Sequence, residues 1–171
     1  SAVAVALALT VIRLYPTDEG RGETLRSFFG VNQIYESADR RYRILKHGST
    51  YHGAQMIRNA DGTAVTGAPE PITYYSRTSP MAATILAMRE RKAAGSGEPL
   101  RAAVIGLGTG SLACHTAKGE GWTFFEIDPT VVAIARDPNR FNFIAACLPD
   151  VPILLGDARL KLAKQPDGVY D

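Results

Sequence analysis

The sequence has almost no charge imbalance: 19 lysines and arginines face 17 aspartates and glutamates, leaving a net charge of +2. So small an excess argues against nucleic acid as a partner. The local basic cluster of Arg40, Arg41, Arg43 and Lys46 reads as a solvated strand face, not a phosphate site. Cysteine is scarce. Cys114 and Cys147 fall in apolar, helix-like contexts with no partner spacing, so two buried thiols in a reducing compartment are expected, and neither a disulfide framework nor a zinc site. Histidine is equally sparse. His47 and His52 lie five apart with no third ligand in view, a poor case for any metal. Ser1 to Ile12 is uncharged and apolar, yet shorter than the roughly 20 residues of a spanning helix. It also lacks the basic leader and cleavage region of a signal peptide. Two readings of it stay open: a buried element, or the tail of a membrane helix whose cytoplasmic flank is marked by Arg13.

What is present is ordinary globular material, 46% apolar and 21% charged over 171 residues, enough for one domain or for a small module and part of a second. Residues 1–27 read as an apolar segment and a polar, glycine-containing linker. Residues 28–78 read as a small antiparallel β unit. In it Phe28–Tyr35, Tyr42–His47 and Tyr51–Ile57 carry the β-branched and aromatic residues of half-buried strands, separated by turn-like Asp39-Arg40 and Gly48-Ser49. Residues 79–100 read as a connecting helix and linker: Ser79 is an N-cap, Pro80 suits the first helical position, and Gly95 supplies the stop. From 101 to 171 strand and helix alternate. Strands are expected at 101–105, 122–127 and 153–155, and helices at 110–118, from Asp128-Pro129, from a restart at Asp137-Pro138 to Leu148, and at 158–164. A fourth strand is expected to begin at Val169. This is the pattern of a parallel sheet with ligands at the carboxyl ends of its strands.

Three features fall at those strand ends. Gly106-Leu107-Gly108-Thr109-Gly110 follows the first strand, where glycines let the backbone turn sharply and approach a ligand. Glu126 ends the second strand, 20 residues beyond Gly106, a spacing suited to an acid that accepts hydrogen bonds from ribose hydroxyls. Asp128 suffices to cap the following helix, which leaves Glu126 free. Gly156-Asp157-Ala158 follows the third strand, where a carboxylate can accept from an adenine amine or cap a helix. The turn lacks the third glycine of a dinucleotide site and the lysine of a P-loop. A nucleoside is the expected ligand, in a Rossmann-like fold, and the glycine loop by itself resembles that of the class I S-adenosylmethionine-dependent methyltransferases.

Several motifs resemble the spermidine synthase (polyamine aminopropyltransferase) family, most closely its bacterial branch fused to a membrane transporter-like segment. They are Phe28-Phe29-Gly30-Val31, the run from Leu45 to Gln55, Tyr74-Tyr75-Ser76 with Ser79-Pro80, Val104 to Leu112, Glu126-Ile127-Asp128, and Gly156-Asp157-Ala158-Arg159. The resemblance implies a small N-terminal β-domain leading into the Rossmann-like domain, with decarboxylated S-adenosylmethionine, or S-adenosylmethionine itself, as co-substrate. It implies no metal, and a polyamine such as putrescine as acceptor. By position, Glu126 would hold the ribose and Ile127 would line the adenine. Asp157 and Ala158 would meet the adenine amine, and Gln55 and His52 would border the nucleoside's tail. Tyr75 would stand near the acceptor amine as the catalytic-site residue. Residues Gly106, Gly108, Thr109 and Gly110 would cradle the donor.

The resemblance also implies a cytoplasmic protein, tethered where a membrane segment lies upstream of residue 1. The family's loop aspartate, which holds the donor's cationic amine, is Thr109 here, and its catalytic acid is expected beyond Asp171. A sheet broken off at its fourth strand would be inactive alone and would offer an edge for a homodimer. A methyltransferase and a non-catalytic nucleoside-binding domain of a membrane protein are the alternatives.

Overall fold

The computed structural model describes residues 22–171. The apolar segment 1–12 lies outside the described residues. Two sheets make up the fold. The first is antiparallel, ordered β1-β2-β3-β4, from Glu23–Ser27 (β1), Gly30–Glu36 (β2), Tyr42–His47 (β3) and Thr50–Met56 (β4). The second is parallel, ordered β5-β6-β7, from Arg101–Ile105 (β5), Gly121–Glu126 (β6) and Ile153–Leu155 (β7). Its helices are Pro129–Arg136, Phe143–Cys147 and Ala158–Leu162. With Pro80–Ala94 as α1, they are α2, α3 and α4.

Local chemistry explains most boundaries. The Ser79 side chain accepts from the Ala82 amide, Pro80 opens α1, and Gly95 closes it. Asp128 caps α2 by accepting from Thr130 N at 2.8 Å. β1 is a finding against expectation, because Glu23–Ser27 falls in the stretch read as linker. Its residues are largely exposed, and ladder hydrogen bonds to β2 hold it. The helix expected over 110–118 is a single 3-10 turn, Ser111–His115. The helix expected to restart at Asp137-Pro138 and run to Leu148 begins only at Phe143 and ends at Cys147, leaving 137–142 outside it. There the Asn142 amide donates to Gln55 Oε1 at 3.0 Å, so it is not available to an intrahelical carbonyl.

One cluster packs Trp122 and Phe124 of β6 against Leu107, Ala135, Ile144 and Val151. A second joins the two sheets: Ile34 and Leu45 of the antiparallel sheet meet Cys114, Ile134, Phe141 and Phe143. At the free edge of β5, Asp171 N donates to Arg101 O and Arg101 N donates to Asp171 Oδ2, each at 2.8 Å. Among the described residues no helix is long and apolar enough to cross a membrane.

The cysteines require a correction. Cys114 and Cys147 are joined as a disulfide, with Cα atoms 4.9 Å apart. Their separation of 33 residues carries no local signal. Packing of α3 on the Ser111–His115 turn brings them together.

Candidate functional site

A cavity of about 360 Å³ opens where the carboxyl ends of β5 and β6 meet the antiparallel sheet. Ile105, Gly106, Leu107 and Gly108 line it from the first strand and its loop, and Glu126, Ile127, Asp128 and Val131 from the second. Phe29, Asn32, Leu45, His47, His52 and Tyr75 complete it from the other side. Among the described residues, no lysine or arginine is in that lining.

The glycine loop is held from three directions. Gly106, Gly108 and Gly110 all have positive φ, at 88°, 54° and 81°, backbone that side chains strain to adopt. A Cβ on Gly108 would stand 2.9 Å from the His52 carbonyl oxygen and 3.7 Å from the Tyr75 hydroxyl, and one on Gly110 would stand 2.6 Å from Ile144. A Cβ on Gly106 would meet nothing. Two of the three glycines therefore serve close packing, and Gly106 leaves open space beside the cavity.

Glu126 is not free, as its sequence position suggests. Its Oε2 accepts from Leu107 N and its Oε1 from Asp128 N, each at 2.9 Å. It ties the two strand-end loops together, and each oxygen keeps one lone pair for a ligand. Asp128 is equally engaged, accepting from Ser27 Oγ at 2.6 Å as well as capping α2.

The other candidates divide. His52 and Tyr75 line the cavity with Gly106, Gly108, Glu126 and Ile127, whereas Gln55, Thr109, Gly110, Asp157 and Ala158 are not in the lining. Gln55 is occupied with Asn142 N. Asp157 is exposed and caps α4 through Leu160 N at 3.2 Å. Thr109 is fully buried, its side chain packed over Gly53, where an added Cβ would stand 2.5 Å from Oγ1. Among the described residues that hydroxyl has no hydrogen-bond partner. Sequence reasoning missed several lining residues, among them Phe29, Asn32 and Asp128. The strand pattern placed Asn32 on β2, but only tertiary packing turns it to the cavity.

Burial holds the Tyr75 phenol well above its ordinary pKa, reinforced by Tyr74, whose ring lies 4.2 Å away. It stays protonated and can donate. Burial also lowers the His52 pKa, helped by the neighbouring His47 and opposed by Glu126. The neutral imidazole is the form present at neutral pH. Among the described residues no group of three histidines, cysteines, aspartates or glutamates could hold a metal ion.

Comparison with known proteins leaves the geometry to stand by itself. No protein-family model matches the chain, and no curated protein matches it.

Proposed function

We propose that the cavity takes an S-adenosyl nucleoside with a cationic, decarboxylated tail. The protein is on this reading a spermidine synthase-like transferase with a Rossmann-like nucleoside domain, carrying an aminopropyl group from decarboxylated S-adenosylmethionine to a polyamine. The carrying observation is the lining: two carboxylates, Glu126 and Asp128, at the strand ends, and, among the described residues, no lysine or arginine. A nucleotide's phosphates would find no cationic partner there. Nor would the carboxylate of ordinary S-adenosylmethionine.

In the reaction a neutral amine attacks the carbon beside the sulfonium. The carbon–sulfur bond breaks toward sulfur, and methylthioadenosine leaves. The residues of this chain contribute positioning: Glu126 orients the ribose, Ile127 flanks the base, and the protonated Tyr75 hydroxyl orients the acceptor. Thr109 is packed beneath Gly53, so the donor's amine takes its counter-charge elsewhere, from the Glu126–Asp128 end or from an acid outside these residues.

Isothermal calorimetry with four ligands tests this. Methylthioadenosine and decarboxylated S-adenosylmethionine are expected to bind, S-adenosylmethionine more weakly, and ATP not at all. Much tighter binding of the carboxylated form would overturn the aminopropyl reading in favour of a methyltransferase. Binding without turnover over a panel of amines, in the protein with its catalytic acid present, would favour a non-catalytic domain.

A further inference from the structure

We infer that the Cys114–Cys147 disulfide is a thiol-exchange site, and that its redox state sets the rigidity of the glycine loop and of Tyr75. Cys114 lies four residues after Gly110, on the Ser111–His115 turn that the loop leads into. Cys147 is the last residue of α3. The 33-residue span between them contains β6, Glu126, Asp128 and α2, so the bond closes a ring around one wall of the cavity. The adjacent residue extends the connection. His115 Nε2 stands 2.7 Å from the Tyr75 carbonyl oxygen, and Arg77 donates to the Cys114 carbonyl at 3.3 Å. Anchoring the turn therefore anchors Tyr75 as well as the loop.

The two sulfurs differ in access. Cys114 is buried with Ile34, Leu45, Phe141 and Phe143, whereas Cys147 is partly exposed. A low-molecular-weight thiolate attacks Cys147 Sγ. The protein S–S bond breaks with its electron pair on Cys114 Sγ, which takes up a proton. A second thiolate attacks the mixed disulfide and releases the Cys147 thiolate, which is protonated in turn. Two thiols are oxidised to their disulfide and the protein gains two thiols. The Cys114 thiol has an acceptor already in place, the Phe143 carbonyl oxygen 3.9 Å from its sulfur. Phe141, Phe143 and Ile134 are fully buried and pack with Ile34 and Leu45 as well as with Cys114. Reduction is thus expected to loosen the loop locally and leave the fold intact.

The full, ligand-free chain is equilibrated in graded ratios of reduced to oxidised glutathione. Thiol state is read by alkylation and mass, and amide hydrogen exchange is read by peptide. Reversible reduction is expected, with exchange over 106–115 rising at least about tenfold while β2 and β3 hold their protection. The Cys114→Ser/Cys147→Ser double variant should reproduce the reduced pattern. The inference fails if millimolar glutathione leaves the bond intact, if exchange over 106–115 is unchanged, or if all segments open together as for a purely structural staple. No nucleoside enters these measurements. A failure of methylthioadenosine to bind the oxidised protein would count against the proposed function alone.

Discussion

At position 109 the family resemblance asks for an aspartate, and the surroundings explain why a threonine suits this chain. The side chain is fully buried against Gly53 and its hydroxyl has no partner among the described residues. A carboxylate there would lose its hydration and gain no cation. Thr109→Asp is expected to cost roughly 3 kcal/mol or more. Thr109→Val keeps the shape and removes the orphaned hydroxyl, so it is expected to stabilise by about 1 kcal/mol. Urea unfolding of both variants checks the pair, and a destabilised valine variant would show that the hydroxyl is used. Glu126 is the opposite case, a buried acid with both oxygens employed by backbone amides. Glu126→Gln turns an amide N–H toward one of those donors. A loss of about 1.5–3 kcal/mol is expected, with weakened methylthioadenosine binding in calorimetry.

Between elements, the glycine loop and β4 interlock, and this is where alanine substitution separates backbone strain from collision. Gly62 has φ 84° and open space around it, whereas Gly108 has φ 54° and the His52 carbonyl oxygen 2.9 Å from where its Cβ would be. Gly62→Ala is expected to cost about 1 kcal/mol from strain. Gly108→Ala should cost clearly more, since backbone cannot step aside as a side chain can. Equal losses in thermal unfolding would mean that the loop is not seated against β4.

The same interlock marks how far the sequence could be read. Helix α1 was legible because Ser79, Pro80 and Gly95 punctuate it through local chemistry. The parallel strands were legible as short apolar runs between turns. The glycine loop was legible as a loop, but not as a packing joint, because its neighbours His52 and Ile144 are distant in sequence. Strand β1 was hidden by its polar composition, since pairing and not burial sustains it. The break before α3 depends on Gln55, and the disulfide on the docking of α3, both tertiary facts that no local pattern carries. Of the candidate residues, those on the strand ends of β5 and β6 reached the cavity because topology puts them there. Asp157 sits at the corresponding end of β7 and was drawn into capping α4 instead.

Over the whole molecule, several ionisable groups are tuned in the same direction with respect to acid. Burial raises the Glu120 pKa, but hydrogen bonds from Arg89, the Ala117 amide and Trp122 bring it below the ordinary value. Glu36 is likewise raised by burial and lowered further by Arg58 and Arg43. The Arg101 amide, then Lys92, lowers Asp171. A carboxylate with a depressed folded pKa stabilises above its unfolded value and loses that contribution as pH falls through the folded one. These three therefore act below about pH 4. His52 acts earlier. Its folded pKa is lowered because burial favours the neutral ring, so the unfolded chain binds the proton more readily, and stability falls as pH drops below about 6.5. Acid unfolding is thus expected in two stages, a shallow loss that sets in below about pH 6.5 and ends once the lowered His52 pKa is passed, and a steep one below about 4. Urea midpoints at pH 8, 5.5 and 3.5 resolve them. His52→Gln should remove the shallow stage and leave the steep one. A shallow stage that survives in that variant would assign it to another group. The cavity adds a second readout. Protonated His52 would face a cationic donor, so decarboxylated S-adenosylmethionine should bind more weakly once pH falls through the lowered His52 pKa, while uncharged methylthioadenosine changes little.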